Sequence, residues 1–306
     1  MRDKAAYLEA EQRFWRSIGV APIEQRVHLE HSDVSVRVQE FGEGAPILFV
    51  HGASNSGTSW AQLVARLTGF RCLMLDRPGA GLSDPLPKPF GSVDELAEYS
   101  DTLLVDVLDA LGLETADVVA TSYGGYAALR GAAAYPDRIR RMVIFGWTMG
   151  AGNPEFPLFM RLAATPLGRL LAKIPVNERA VRSMLKKVGL RQAMQSGHVS
   201  QELIDCYTAL LRHTDTMTNE LDIGRWTMSW KGLNEDIVLS PAFLSKMETP
   251  IYFLWGEDDP FGPPDVARAF VQQIPNAEIE ILVGAGHAVW LDDPDHAAKV
   301  VTGFLG

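Results

Sequence analysis

A serine hydroxyl becomes a useful nucleophile when a base takes its proton and a third group holds that base in the right tautomer. Residues of those three kinds stand at three places in this 306-residue chain, each directly after an apolar run. Ser122 lies in Ala120-Thr121-Ser122-Tyr123-Gly124-Gly125, between Asp117-Val118-Val119 and a helix-like segment from Tyr126 to Tyr135. A strand that enters a helix through so few residues must bend sharply. The residues two before and two after the apex must then be small, as Ala120 and Gly124 are. Such a bend strains the apex backbone and pushes the Ser122 hydroxyl into the open. It also sets that hydroxyl beside a helix N-terminus, where free N–H groups favour negative charge. The complementary groups come later. Ile251–Trp255 runs into Gly256-Glu257-Asp258-Asp259-Pro260, and Ile279–Val283 into Gly284-Ala285-Gly286-His287. An imidazole can take and return a proton near neutrality, and either Asp258 or Asp259 could orient it.

Elements must bring these residues together. Strand-like runs are read at Arg26–Glu30, Val34–Glu40, Pro46–Val50, Arg71–Leu75, Asp117–Val119, Arg141–Phe145, Pro250–Trp255 and Glu278–Val283. Gly42 and Gly44 suggest a hairpin turn between the second and third. Ser59-x-x-Gln62 and Ser92-x-x-Glu95 are capping-box patterns, the first opening a helix to Phe70 and the second one that runs to Leu111 and stops at Gly112. Residues 5–18 read as an amphipathic surface helix, and Asp293-Pro294 as the start of the last one. Buried strands alternating with amphipathic helices imply an α/β fold with a mostly parallel sheet covered on both faces. The alternation stops between about Gly150 and Asn234, where only helix-like pieces occur: 155–164, 166–173, 177–188, 200–213 and 216–231.

The totals narrow the function. A formal net charge of −10 argues against nucleic-acid binding, which rests on clustered Lys and Arg. Two cysteines, Cys72 and Cys206, form no disulfide framework, and no stretch approaches the ~20 apolar residues of a membrane span. The N-terminal segment does not resemble a signal peptide, so a cytoplasmic location is expected. The spacing of His28, His31, His198, His213 and His296 suggests no metal site. No cofactor is expected, and nothing here fixes an oligomeric state.

Taken together, His51-Gly52 with Trp60 after it, Asp76-Arg77-Pro78-Gly79-Ala80-Gly81-Leu82-Ser83, the Ser122 turn, Trp255-Gly256-x-x-Asp259, and Gly286-His287 followed by Asp292-x-Pro294 resemble the α/β-hydrolase fold superfamily. The resemblance covers roughly residues 25–150 and 235–306. It implies an eight-stranded, mostly parallel sheet with a helical cap inserted after the sixth strand: a core domain of residues 1–149 and 235–306, and a cap of 150–234. It implies Ser122 as nucleophile, His287 as base and then acid, and, by the family's spacing after the glycine, Asp259 as the orienting carboxylate. The oxyanion hole would use the backbone N–H groups of Tyr123 and Ala53, with Ser54 as the fallback and His51 bracing the loop.

Ser54, Trp147, Met149 and Val289 are expected at the substrate pocket. Leu158, Phe159, Met160, Leu162, Trp226, Met228 and Trp230 make the inserted segment apolar, which favours a small, largely apolar substrate. Arg182 or Arg191 could meet a substrate carboxylate. The leading expectation is hydrolysis of a carboxylic ester through an acyl-Ser122 intermediate. The alternative is carbon–carbon bond hydrolysis of vinylogous diketones, as the superfamily's ring-cleavage-product hydrolases perform. A small-molecule receptor with a vestigial site is a third reading.

Overall fold

The computed structural model describes residues 3–152, 158–163, 165, 174 and 176–306, with only the backbone at Phe159 and Ala163. The strands are β1 (Ile23–Leu29), β2 (Val34–Phe41), β3 (Ala45–Val50), β4 (Phe70–Leu75), β5 (Ala116–Thr121), β6 (Ile139–Thr148), the short pair β7 (Met228–Ser229) and β8 (Gly232–Leu233), then β9 (Ile251–Gly256) and β10 (Ala277–Leu282). Eight of them form one sheet in the order β1-β2-β4-β3-β5-β6-β9-β10. All neighbours from β4 to β10 are parallel, while β2 is antiparallel to both β1 and β4. The fold is the α/β architecture expected.

Side chains alternate between the sheet's two faces, and each face has its own core. Leu48 and Val50, Leu73 and Leu75, Val118 and Ala120, Met142 and Ile144 pack on one side under the helices Val93–Ala110 and Ser122–Ala134. Ile47 and Phe49, Cys72 and Met74, Val119, Val143 and Phe145 pack on the other with Lys4–Ser17 and Pro294–Leu305. Cys72 and Cys206 are both buried and unbridged.

Two local expectations need correcting. Gly42 and Gly44 do not close a hairpin between β2 and β3, because β4 lies between those strands. Both glycines have positive φ, and a Cβ at either would meet the carbonyl oxygens of Phe70 or Gly69 at 2.4 or 2.0 Å. Their lack of a side chain lets the chain cross tightly past the start of β4. The Ser59 pattern opens no long helix either. Its hydroxyl donates to the Ser56 carbonyl, the Gln62 amide donates to the His198 carbonyl, and the segment is a 3-10 turn (Gly57–Trp60) with one α-turn (Ala61–Val64). The Ser92 pattern does cap the helix Val93–Ala110, its hydroxyl accepting from the Glu95 N–H.

Between β6 and β9 lie the helices Leu158–Ala163, Glu178–Lys187, Arg191–Gln195, Gln201–His213 and Thr216–Thr227, followed by the β7–β8 ribbon. That ribbon occupies the end of the helix expected to reach residue 231. The expected helix at 166–173, and the ends of the one at 155–164, lie outside the described residues. No helix among the described residues is long and apolar enough to cross a membrane.

Candidate active site

β5 ends at Thr121 and the next helix begins at Ser122, whose φ is +54°. A non-glycine residue in that left-handed region costs on the order of 1–3 kcal/mol, tolerable where the surroundings enforce it. Gly52, at the end of β3, is one enforcing neighbour: a Cβ there would lie 2.9 Å from the Ser122 Cβ. Gly124 presses on the same strand end, where a Cβ would meet the Val50 oxygen at 2.2 Å. The Thr121 hydroxyl donates to the Phe145 carbonyl at 2.7 Å and does not cap the helix, so the first N–H groups stay available for a negative charge. Ser54 also has a positive φ, of +55°, so strained backbone stands on both sides of the site.

His287 follows β10 and meets Asp259, which follows β9. Its Nδ1 lies 2.9 Å from the Asp259 carboxylate. The carboxylate is itself held, one oxygen accepting from Trp147 N–H at 2.7 Å and the other from Phe261 N–H at 3.0 Å. Asp258 makes no such contact with the imidazole; Asp259 is the carboxylate that the fold delivers to it. Gly146 makes room for the pair, since a Cβ there would meet the His287 carbonyl at 2.4 Å and the Asp259 carboxylate at 3.1 Å. Phe261 packs edge-on against the imidazole, its centroid 4.6 Å away.

Ser122 and His287 open into one cavity of about 450 Å³. Gly52, Ala53, Ser54, Asn55, Ser59 and Thr121 line it from the sheet side. Apolar residues of the inserted helices line the rest, among them Met184, Leu185, Leu203, Met217 and Leu221, with Trp290 and Leu291 from beyond His287. Three expected pocket residues are elsewhere. Gly146, with φ of +65°, breaks the two-residue alternation of β6, so Trp147 turns into the core on the face that carries the Ser122 helix, where it packs against Phe261, and Met149 joins the same core. Val289 is fully buried in the opposite core, and its neighbours Ala288, Trp290 and Leu291 face the cavity instead. Arg182 pairs with Glu178 and Arg191 is exposed; neither reaches the cavity.

His51 is wholly buried and braces its own loop. Its Nε2 accepts from Arg77 N–H at 3.1 Å and its Nδ1 donates to the Gly52 carbonyl at 2.7 Å. Burial, followed by the charge of Arg77, holds its pKa well below the usual histidine value. The neutral ring is thus a fixed strut. Sequence reasoning gave no role to Arg77, Glu220 or Asp292. Arg77 stacks its guanidinium over the Tyr123 ring at 4.4 Å and donates to the His51 and Gly52 carbonyls, each at 3.0 Å. It also pairs with Glu220 on the helix Thr216–Thr227. Asp292 accepts from Gly286 N–H at 2.7 Å and Ala193 N–H at 2.8 Å, tying the His287 loop to the inserted helices. The only signal for Arg77 was its place in the Asp76-Arg77-Pro78 turn; Glu220 had none. Among the described residues no cluster of His, Cys, Asp and Glu could hold a metal ion.

A family model described as "alpha/beta hydrolase fold" matches residues 45–294. Among curated proteins, the chain is similar to the 2-hydroxy-6-oxononadienedioate/2-hydroxy-6-oxononatrienedioate hydrolases of Paraburkholderia phymatum, 25% identical over 90% of this chain and 92% of that one, and of Cupriavidus pinatubonensis, 28% identical over 92% and 94%. Among solved structures it is similar to a carboxylesterase from Bacillus subtilis, with a TM-score of 0.76 at 19% identity over 99% of this chain and 98% of the other. It is also similar to the 2-hydroxy-6-oxo-6-phenylhexa-2,4-dienoate hydrolase from a Rhodococcus species, with a TM-score of 0.77 at 18% identity over 93% and 99%.

Proposed function

The chain belongs to the α/β-hydrolase family and is a hydrolase, and from that premise we propose that it cleaves neutral, largely apolar carboxylic esters through an acyl-Ser122 intermediate. The observation that carries this reading is the cavity: Ser122 and an Asp259-held His287 open into a chamber whose other walls are almost wholly apolar. In the proposed cycle His287 takes the Ser122 proton as the hydroxyl oxygen bonds to the substrate carbonyl carbon. The developing oxyanion is held by the N–H groups of Tyr123 and Ala53. His287 then returns the proton to the leaving alkoxide, and water repeats the sequence on the acyl-enzyme. In this reading residues 150–234 act as a cap that closes the apolar side of the chamber.

Carbon–carbon hydrolysis stands as the second reading because the sequence relatives favour it. By name they support it more strongly than ester cleavage. Their named substrates are dioates, however, and among the described residues no Lys or Arg lines this cavity to receive a carboxylate. Desolvating an anion without a partner is costly, so the chamber supports a neutral substrate. A ketone cleaved at the same serine would fit that demand only if its leaving group were equally apolar.

The two readings separate on one panel: p-nitrophenyl hexanoate and a vinylogous diketone of the ring-cleavage type, each given to wild type and Ser122→Ala. Ester cleavage predicts a burst of p-nitrophenol followed by steady turnover. In the variant it predicts a loss of several orders of magnitude, with a residual of about 10³–10⁴ over water able to survive. Faster turnover of the diketone would favour the second reading, and turnover of neither would reject both.

A further inference from the structure

Among the described residues that line the chamber, Glu220 is the one side chain that carries a fixed charge. It projects from the helix Thr216–Thr227 and is only 7% exposed. One of its carboxylate oxygens accepts from Arg77 Nη2. That same nitrogen donates to the Gly52 carbonyl, while Arg77 Nε donates to the His51 carbonyl and the guanidinium face lies against Tyr123. Arg77 itself does not line the chamber. The pair therefore sets its acidic residue in the chamber wall and its cation behind that wall, engaged with three acceptors. The helix has little freedom to turn Glu220 away, because the Thr216 hydroxyl accepts from Gly81 N–H at 2.9 Å and the Asn219 amide donates to the Gly79 carbonyl.

We propose that Glu220 is a specificity-determining residue that admits neutral acyl compounds and excludes those carrying a carboxylate. A second carboxylate entering the chamber would lose its water, meet the acidic member of the Glu220–Arg77 pair before its cation, and find that guanidinium already occupied by Glu220 and two carbonyls. Repulsion in such a low-dielectric space is far stronger than in water. Specificity built from a repulsive element acts on the wrong ligand and leaves the right one alone. This rests on the hydrolase reading above, and deepens it by naming the charge class of the substrate.

The test uses three matched substrates: p-nitrophenyl hexanoate, p-nitrophenyl hydrogen adipate, in which the terminal methyl is a carboxylate, and p-nitrophenyl methyl adipate, its neutral ester. For wild type kcat/KM should be at least about 100-fold lower for the half-acid than for either neutral compound. Glu220→Gln removes the charge, keeps the shape and leaves Arg77 uncompensated, so the preference should shrink about tenfold or more. Glu220→Asp keeps the charge and should keep the preference, even if all three rates fall. A purely structural role would lower all three substrates together and leave the ratios unmoved, which would overturn the proposal, as would equal use of the half-acid by wild type. Should no ester be turned over in a Ser122-dependent way, the hydrolase reading fails on its own account. Glu220 is then judged by calorimetry on Ser122→Ala with dimethyl adipate against monomethyl adipate. Tighter binding of the diester, lost in the Glu220→Gln double variant, upholds the exclusion; equal binding rejects it.

Discussion

Gly146 has no side chain where His287 and Asp259 need the room, and this makes it a sharper probe of the site than the acid or base itself. Replacing it with alanine would put a Cβ 2.4 Å from the His287 carbonyl and 3.1 Å from the Asp259 carboxylate, on a backbone with φ of +65°. The imidazole would have to shift, and a misplacement of about 1 Å can cost ~100-fold in rate. Gly19 is the control, with φ of +72° and nothing within 4 Å of the added carbon. Gly146→Ala is expected to lower kcat/KM for p-nitrophenyl hexanoate by about 100-fold, whereas Gly19→Ala should cost only about 1 kcal/mol in thermal stability and nothing in rate. Equal effects from the two would show that the His287–Asp259 pair has slack. The three residues of the proposed cycle were legible for a physical reason. Each sits directly after a strand, and the ends of parallel strands share one edge of the sheet. The choice of Asp259 over Asp258 was legible only through the resemblance; in the structure it follows from the N–H groups of Trp147 and Phe261, which fix that carboxylate and no other.

At the scale of elements, the loop after β3 depends on a side chain from the loop after β4. Arg77 holds the His51 and Gly52 carbonyls in place, and the planar Gly52 peptide also carries the Ala53 N–H, so that proposed oxyanion donor is aimed by a guanidinium fork. Lysine would retain the charge and lose the fork. Arg77→Lys is therefore expected to lower kcat by about 10- to 100-fold while KM moves much less, since an oxyanion donor matters most in the transition state. Steady-state kinetics on the neutral esters separates the two constants; an unchanged kcat would mean that the loop holds its shape without the fork. Elements were read less well where a local pattern had a tertiary competitor. Gly42 and Gly44 carry the composition of a turn, yet the tight crossing they allow passes the edge of β4, and sequence says nothing of which strand will lie alongside. Ser59 and Gln62 have the spacing of a capping box, but their hydrogen-bonding groups find the Ser56 and His198 carbonyls instead.

Across the whole molecule, the chamber is built from segments far apart in the chain, and its lining could not be read from any one of them. Helix residues such as Met184, Leu203, Met217 and Leu221 face it because of how whole helices pack, whereas Trp147 and Met149, adjacent to a strand end, were turned away by a single left-handed glycine. One carboxylate joins the two sides of this chamber. Asp292 bonds Gly286 N–H on the His287 loop and Ala193 N–H on the inserted helices, and is only 4% exposed. Burial raises its pKa from 3.8 to about 6, against the two backbone bonds and the nearby charge of His198, which lower it; Asp259 adds a little in the raising sense. The folded protein thus holds a proton that the unfolded chain releases between about pH 4 and 6. The contribution of Asp292 to stability therefore falls as pH rises through that window, by about 2–3 kcal/mol for roughly two pKa units. Asp292→Asn has no such proton to lose, though it turns an amide NH₂ toward one of the backbone donors and pays a cost that does not vary with pH. Urea unfolding of both proteins at pH 4.5, 5.5 and 7 should show the variant gaining on wild type as pH rises, in addition to whatever slope they share. Parallel profiles would mean that Asp292 ionises in the fold as freely as in water, and that the bridge between loop and helices is not maintained against a desolvated charge.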